Sequence, residues 1–435
     1  MSARKLAVRC LLEVDRGAYS NLTFKKNTSD TVLDRRDIQF AAALFYGTLE
    51  RQTTLDYILG KYLKGGVAKL DPEIRAIMRS GLYQCIFMDS VPVSAAVNES
   101  AKLCKVMKKT SAASLVNAVL RKAAVFDMSD FDRIRDDVKR LSLKYSLCGG
   151  LVQLLCSQYG DTAEEIMGAM LERPKTAVRV NSLKTTVSEL VSELASEGVE
   201  TEISSDIKNA LIIKSGNYLK SSALRDGRMR VQSLAAQCSA LALDAKSGMT
   251  VLDMCAAPGG KTLTAAQEMN NEGKITALDC YESRLTLIEK QAKAEGITIV
   301  EPILGDASAY CAGQLFDRVL CDVPCSGYGE ISSKPELRTK APQNDNQLFS
   351  LQSSILQNGA AQLKVKGKLI YSTCTLDFRE NEDIVGEFLS SNSNFCLNIP
   401  TFAENIPVSA DKCIKFIPEN DNSEGFFIAT FERMC

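Results

Sequence analysis

The chain has 435 residues, 45% of them hydrophobic and 24% charged, which is typical of a globular protein of two or three domains. Its net charge is −1, but residues 1–230 contain 35 Lys and Arg against 27 Asp and Glu, whereas the remaining residues contain 17 Lys and Arg against 26 Asp and Glu. This split favours binding of a polyanion to the first half, and a chance imbalance is the alternative. The 15 cysteines include no Cys-x-x-Cys pair, which argues against a disulfide scaffold, and without histidine a zinc site is not expected. The sequence shows no apolar run of transmembrane length and no signal peptide. These features predict a metal-free cytoplasmic protein.

Residues 1–140 predict an all-α domain. Asp34 is a candidate N-cap for an amphipathic helix that includes Phe45, and Asp71 followed by Pro72 predicts the start of another helix. Two further stretches of helical periodicity follow. They carry basic residues that form either an RNA-binding face or an ordinary solvated surface, namely Lys105, Lys108, Lys109, Arg121 and Lys122.

Residues 141–232 predict a small α+β domain. Strand candidates occur at 176–183, 210–214 and 228–232. Between the first two, Val187, Leu190, Val191 and Leu194 follow helical spacing, and Gly198 stands where a helix would end.

From residue 233 to residue 435 the pattern changes to alternating strands and helices. This alternation predicts βαβ units and a parallel, doubly wound α/β sheet of the Rossmann-like type. The segments 413–418 and 425–431 predict a closing hairpin. Because such sheets bind ligands beyond the carboxyl ends of their strands, chemically active residues are expected at those ends.

The sequence DMCAAPGGKT, residues 253–262, joins the first of these strands to its helix. Gly259 and Gly260 allow a ligand to approach the backbone near free N–H groups at the helix start. Cys255 stands where a Walker A loop needs glycine, and the dinucleotide pattern GxGxxG is absent. The loop therefore predicts a nucleoside site without a triphosphate cradle.

Two aspartates, Asp279 and Asp306, are predicted to end the next two strands. Asp279 has the position of a residue that binds a ribose diol, and Asp306 is a candidate for contact with an adenine edge. Each has the alternative interpretation of a turn or N-cap residue. S-adenosyl-L-methionine suits such a crevice, because it is a nucleoside with a cationic sulfonium and no phosphate.

Cys325 and Cys374 follow two later strands, and Asp322 lies shortly before Cys325 in the sequence. If those strands are neighbours, the two thiols share one pocket. A thiolate that adds to carbon 6 of a pyrimidine makes carbon 5 nucleophilic, an acid at N3 assists the addition, and a base then removes the carbon 5 proton. The alternatives for these cysteines are buried strand residues or a redox pair.

The motifs DMCAAPGGKT, ALDCYESRL, GDA, DVPCSGYGE and YSTCTLDFRENE resemble the RNA cytosine-5 methyltransferases of the Nol1/Nop2/Sun family. The resemblance implies that Cys374 is the nucleophile and that Cys325 assists product release. DNA cytosine-5 methyltransferases use the other cysteine and carry a Glu-Asn-Val motif, which is absent here. Cofactor contacts are implied at Cys255, Ala256, Ala257, Pro258, Gly259, Gly260, Lys261, Asp279, Asp306 and Asp322.

The first two domains resemble the NusB-like helical domain and the middle region of a subgroup that methylates bacterial 16S rRNA. Two positions depart from relatives: Ser333 replaces a common arginine, and Val323 replaces alanine or proline. The resemblance predicts a monomeric S-adenosyl-L-methionine-dependent 16S rRNA methyltransferase, in which Asp322 supports N3. The alternatives are the same chemistry on tRNA or another RNA, and a NusB-type RNA-binding protein with an inactive catalytic half.

Overall fold

The computed structural model of the chain describes residues 2–29, 31–343, 346–402, 406, 408–419 and 424–435. The chain divides into two compact units. The first contains Met1–Leu171 and Ile331–Gln343, and the second contains Glu172–Glu330 and Asn344–Cys435. We call residues 331–343 the inserted segment, because the chain leaves the second unit there and afterwards returns to it.

The first unit consists of α-helices joined by short 3₁₀ turns. The α-helices are α1 (Ala3–Val14), α2 (Ser20–Ser29), α3 (Arg35–Glu50), α4 (Gln52–Gly60), α5 (Pro72–Phe87), α6 (Val93–Val106), α7 (Ala113–Ala123), α8 (Asp137–Tyr145), α9 (Gly149–Tyr159) and α10 (Ala163–Ala169). The apolar faces of α1–α8 form one core that includes Leu6, Leu44, Phe45 and Ile77. Burial of these faces from water stabilises helices that would be marginal alone.

The two predicted helix starts are present, and they differ in their capping. The Asp34 carboxylate accepts a hydrogen bond from the Asp37 N–H at 2.8 Å and caps α3 as predicted. Asp71 precedes Pro72 at the start of α5, but its side chain makes no capping bond. It pairs instead with Lys109 Nζ at 2.7 Å.

The first unit extends beyond residue 140, where the sequence placed a domain boundary. Leu143 of α8 lies in the same core as α1–α7, and its carbonyl accepts a hydrogen bond from Thr54 Oγ1 at 2.6 Å. Helices α8–α10 therefore belong to the helical unit, because buried contacts with α4 hold α8 in place.

The inserted segment is anchored in the first unit by Arg338, whose side chain is fully buried. The guanidinium donates to the carbonyls of Tyr145 and Met170, at the C-terminal ends of α8 and α10, where helix dipoles favour a cation. The Arg338 carbonyl in turn accepts from the Cys148 N–H at 2.8 Å. A short piece of chain from late in the sequence thus completes the helical unit.

The second unit contains two sheets. The smaller sheet has the strand order β2-β3-β1-β4 and is antiparallel. Its elements are β1 (Thr176–Val180), α11 (Val187–Ser196), β2 (Glu200–Ile203), β3 (Ala210–Ser215), α12 (Ser222–Arg225) and β4 (Met229–Val231). Helix α11 begins with a capping box between Thr186 and Glu189, and Gly198 follows its end with a positive φ of 75°.

The larger sheet has the order β10-β12-β9-β8-β5-β6-β7, with β11 paired to β12. Strands β5 to β9 are parallel, and β12 is antiparallel to β9, β10 and β11. The elements are α13 (Leu234–Leu241), β5 (Thr250–Asp253), α14 (Gly260–Glu268), β6 (Lys274–Asp279), α15 (Glu282–Glu295), β7 (Val300–Leu304), β8 (Phe316–Asp322), α16 (Asn346–Ala361), β9 (Leu363–Thr373), α17 (Glu382–Ser391), β10 (Phe395–Leu397), β11 (Ile414–Phe416) and β12 (Phe426–Arg433). The predicted α/β alternation and the closing hairpin are confirmed.

A buried ion pair joins the smaller sheet to the larger one. Arg179 of β1 donates to Glu295, at the end of α15, at 2.8 Å, and both side chains are 3% exposed. Asn181 donates to the Glu295 carbonyl at 2.9 Å. These contacts fix the small sheet against the helix that follows β6.

Candidate active site

The candidate site lies at the carboxyl ends of the parallel strands. β8 and β9 are hydrogen-bonded neighbours, and Asp322 at the end of β8 is in register with Ser372 of β9. The loops that carry Cys325 and Cys374 therefore start side by side. The sequence predicted that the two cysteines share a pocket if their strands are neighbours, and β8 and β9 are neighbours.

The two thiols are in direct contact. The sulfur atoms of Cys325 and Cys374 are 3.1 Å apart, and the Cys374 N–H donates to the Cys325 sulfur at 3.3 Å. Both side chains are partly exposed. The hydrogen bond with Cys325, together with burial, raises the pKa of the Cys374 thiol well above its ordinary value. In the protein alone Cys374 is therefore a thiol, and its use as a nucleophile requires loss of a proton.

Asp322 is held at both of its carboxylate oxygens. Oδ2 accepts from Lys261 Nζ at 2.7 Å, and Oδ1 accepts from Ser372 Oγ at 2.7 Å. Ser239 Oγ lies 2.9 Å from Ser372 Oγ and extends this chain. Burial opposes the charge of Lys261, but the Asp322 carboxylate outweighs burial, so the pKa of Lys261 is raised. The strand end thus presents an ammonium–carboxylate pair beside the two thiols.

The glycine loop connects β5 to α14 with little room for side chains. Gly259 has φ of 100°, and a Cβ there would lie 3.3 Å from Gln291. Gly260 is the first residue of α14, so its N–H and the next ones are free of helical partners. Ala256 is buried beneath the loop, Ala257 is partly exposed, and Pro258 is exposed.

Cys255 and Asp253 lie under the same loop. Burial raises the pKa of Cys255 well above its ordinary range, which fits a core thiol. Asp253 is 2% exposed, and burial raises its pKa to about 7, although Thr262 Oγ1 donates to it at 2.7 Å. Asp253 was not among the residues singled out in the sequence, because nothing in the sequence indicates how deeply a strand-end carboxyl is buried.

The two other aspartates differ from each other. Asp279 ends β6, is buried, and accepts from the Tyr281 N–H at 3.0 Å. Asp306 lies two residues beyond the end of β7, so the expectation that it ends that strand is wrong. It is exposed and accepts from the backbone N–H and hydroxyl of Ser308, and these hydrogen bonds lower its pKa. Asp306 is thus a turn residue at the same edge of the sheet.

A shell of polar side chains around the cysteines had no assigned role in the sequence. Ser326 Oγ and Thr375 Oγ1, which follow the two cysteines, are 2.7 Å apart. Asn381 accepts from Thr373 Oγ1 and donates to the Thr375 carbonyl, and Glu380 accepts from the Ser326 N–H. Four of these five residues lie within YSTCTLDFRENE, and Ser326 lies within DVPCSGYGE. The motifs could therefore have identified them, but without the contacts that each one makes.

In the described part of the chain, no group of three or more His, Cys, Asp or Glu side chains has the arrangement of a metal site. Over the same residues, no helix is both long and apolar enough to cross a bilayer.

Comparison with known proteins agrees with this geometry. Residues 240–432 match the family model described as 16S rRNA methyltransferase RsmB/F. Residues 1–125 match the NusB family, and residues 150–219 match the ferredoxin-like domain of RsmF/B-like methyltransferases. A relative from Bacillus subtilis, named probable ribosomal RNA small subunit methyltransferase B, is 33% identical over 444 residues and is aligned over 99% of both chains.

The chain belongs to the RsmB/F family of 16S rRNA methyltransferases.

Other members and structures cover the chain equally well. A protein of the same name from Synechocystis is 30% identical over 446 residues, which is 100% of each chain. The crystal structure of a protein designated PH0851 superposes with a TM-score of 0.85 at 27% identity and covers 100% of this chain and 99% of its own. The predicted family is thus confirmed. The predicted fold class is confirmed as well, with a NusB-like helical domain, a small α+β domain and a Rossmann-like methyltransferase domain of the RsmB/F type.

Proposed function

We propose that this RsmB/F family member transfers a methyl group from S-adenosyl-L-methionine to carbon 5 of a cytosine in 16S rRNA, through a transient bond between Cys374 and carbon 6 of the ring. The observation that carries the proposal is the contact between Cys374 and Cys325 at adjacent strand ends, beside Asp322 and Lys261. This arrangement supplies a nucleophile, a second thiol and an acid–base pair without histidine.

The residues around the glycine loop fit the methyl donor. The left-handed Gly259 turns the chain close against Gln291 and Ile288 of α15, and the N–H groups at the start of α14 from Gly260 onward suit a nucleoside that approaches the backbone. We assign the ribose to Asp279, and further donor contacts to Asp306, Asp322 and the loop from Cys255 to Lys261. When bound, the donor supplies an electrophilic methyl group on a sulfonium.

The chemistry at the base begins with Cys374. Its proton must leave before the sulfur adds to carbon 6, and the charge of Lys261, which interacts with Cys374, favours the thiolate. On addition the S–C6 bond forms, the C5=C6 electron pair moves toward N3, and N3 takes up a proton. We assign the support of N3 to Asp322 together with Lys261, with Lys261 supplying the proton and the Asp322 carboxylate holding that ammonium in place.

Return of this electron pair, with N3 giving its proton back, would let carbon 5 bond the methyl group while the methyl–sulfur bond of the donor breaks and its electrons remain on a neutral thioether sulfur; elimination then restores the ring. A base removes the carbon 5 proton, its electron pair re-forms C5=C6, and the C6–S bond breaks to release the Cys374 thiolate. We assign assistance in this step to Cys325, whose sulfur is 3.1 Å from the leaving sulfur. Release of the product base therefore depends on a correctly placed Cys325.

We assign the substrate to 16S rRNA, in the cytoplasm, on the names of the matched family and relatives. A base in folded RNA must leave its stack to reach a strand-end pocket, and the basic first half of the chain suits the surrounding phosphates. Bisulfite sequencing of 16S rRNA and tRNA from a deletion strain tests this assignment. We expect loss of one 16S cytosine mark, restored by the wild-type gene and not by Cys374→Ala.

Loss of a tRNA mark with 16S rRNA unchanged would instead support the same chemistry on another RNA. A binding protein with an inactive catalytic half predicts that neither mark changes. Purified protein incubated with 16S rRNA and methyl-labelled S-adenosyl-L-methionine separates this last case, because a binding protein transfers no label.

A further inference from the structure

The backbone on both sides of Cys325 is held by two side chains from elsewhere in the second unit. Gln352 of α16 donates through Nε2 to the Pro324 carbonyl at 2.8 Å. Glu380 accepts the Ser326 N–H at Oε2 at 3.0 Å. The same Gln352 Nε2 also donates to Glu380 Oε2 at 2.8 Å, so the two side chains form one clamp around Cys325.

The clamp is buried, and burial of its polar groups costs free energy of folding unless hydrogen bonds compensate. Gln352 is 0% exposed and Glu380 is 1% exposed. Burial raises the pKa of Glu380, and the hydrogen bonds from Ser326 and Gln352 oppose that rise. The Tyr371 hydroxyl fixes the backbone of Glu380 by donating to its carbonyl at 2.6 Å. A buried acid and amide at this place contribute little as core packing, and their described contacts converge on the Cys325 loop.

Cys374 is held differently. It follows β9 directly, and Asn381 bonds with Thr373 and Thr375 on either side of it. The hydrogen bonds of Gln352 and of the Glu380 carboxylate go instead to Pro324, to Ser326 and to each other. The loss of the clamp would therefore free the Cys325 loop more than the Cys374 loop.

We propose that Glu380 and Gln352 are positioning residues that hold Cys325 for the elimination step, so that they govern release of the methylated base rather than formation of the Cys374 adduct. This inference rests on the proposed function. It adds that different side chains hold the backbone beside each cysteine, Gln352 and Glu380 at Cys325 and Asn381 at Cys374, with the hydrogen bond between Ser326 and Thr375 linking the two loops. In the step concerned, the carbon 5 proton leaves, C5=C6 re-forms and the C6–S bond breaks, and no further reactant is needed.

The test compares Glu380→Met and Gln352→Met with the wild type and with Cys325→Ala. Glu380→Met removes the oxygen that accepts from both Ser326 and Gln352, while Gln352→Met keeps the side chain's length and removes its donor. Gln357→Met on the same helix is the matched control, because Gln357 accepts from Asn392 and contacts neither cysteine loop. Each protein is assayed with 16S rRNA for single-turnover methyl transfer, for multiple turnover, and for covalent protein–RNA adduct on a denaturing gel.

We expect both clamp variants to retain single-turnover methyl transfer within about threefold and to lose roughly ten- to a hundredfold in multiple turnover, with adduct accumulating. A purely structural role predicts that both rates fall together without adduct, and that result would overturn the inference. Adduct in Cys325→Ala but in neither clamp variant would overturn it as well and leave the proposed function intact. Absence of adduct even in Cys325→Ala would overturn both.

Discussion

The Cys325 and Cys374 sulfur atoms lie 3.1 Å apart although 49 residues separate them in the chain. The contact follows from the pairing of β8 with β9, whose carboxyl ends carry the two loops to the same point. The distance places the two thiols in contact in this RsmB/F family member, and the roles proposed for them are distinct enough to separate by mutation.

Replacing each thiol in turn should give opposite results. We expect Cys325→Ala to accumulate a covalent RNA adduct, because the second thiol that assists elimination is missing. Cys374→Ala should form no adduct, because the nucleophile is missing. Denaturing gels with labelled 16S rRNA measure both. Cys311→Ala, at an exposed cysteine, serves as the control and should behave as wild type. The reverse pattern would mean that the two roles are exchanged.

Lys261 should affect the pH dependence of adduct formation. Lys261→Met removes the charge that favours the Cys374 thiolate and the proton for N3, so we expect a loss of roughly 10²–10⁴-fold in the rate, with the remaining rate rising toward higher pH than in the wild type.

The matched control is Lys364→Met. Lys364 forms a similar pair with Asp317 of the same strand at 2.8 Å, but at the opposite end of β8. Equal losses in the two variants, or an unchanged pH profile in Lys261→Met, would contradict the role assigned to Lys261.

Asp253 should make stability depend on pH. Its folded-state pKa is about 7, above the value of about 3.9 for an unfolded aspartate, so the folded protein binds the extra proton between these values. Its contribution to the free energy of unfolding is present below about pH 4 and is lost as pH rises through about 7, with a slope of at most about 1.4 kcal/mol per pH unit.

Asp253→Asn removes this titration. Urea unfolding of both proteins from pH 5 to pH 8 should show the variant gaining stability relative to the wild type as pH rises. Parallel curves would contradict the prediction, since all other titrating groups are shared.

Arg338 should stabilise the helical unit. Arg338→Met leaves the Tyr145 and Met170 carbonyls without their buried donor, and we expect a loss of about 2–4 kcal/mol in the free energy of unfolding. Arg133→Met, at a mostly exposed arginine paired with Asp130, should change stability by less than about 0.5 kcal/mol. Denaturant unfolding followed by circular dichroism at a helix-sensitive wavelength compares the two. Similar effects at both positions would rule out a special role for the buried guanidinium.

Much of the fold could be predicted because its signals are local. The N-cap at Asp34, the end of α11 at Gly198 and the alternation after residue 233 each depend on a few neighbouring residues. The candidate site was predictable for a related reason, since the strand ends of a parallel sheet meet at one edge. The pairing of Cys325 with Cys374 therefore needed only the correct strand order.

Other features depend on contacts between distant parts of the sequence. Gln352 lies on a helix with no motif of its own, and its contacts with Pro324 and Glu380 relate it to the site. The deep burial of Asp253 depends on packing that spacing does not encode. The membership of residues 331–343 in the helical unit was missed because their local pattern is that of an ordinary loop after a strand.

The inserted segment also bears on how the protein emerges from the ribosome. Domains generally fold from the N-terminus as synthesis proceeds. Here the N-terminal helices can collapse early, but the cavity filled by Leu337 and Arg338 stays open until translation has passed residue 343. The helical unit is therefore completed only after the inserted segment, which follows β8 in the sequence, has been synthesised.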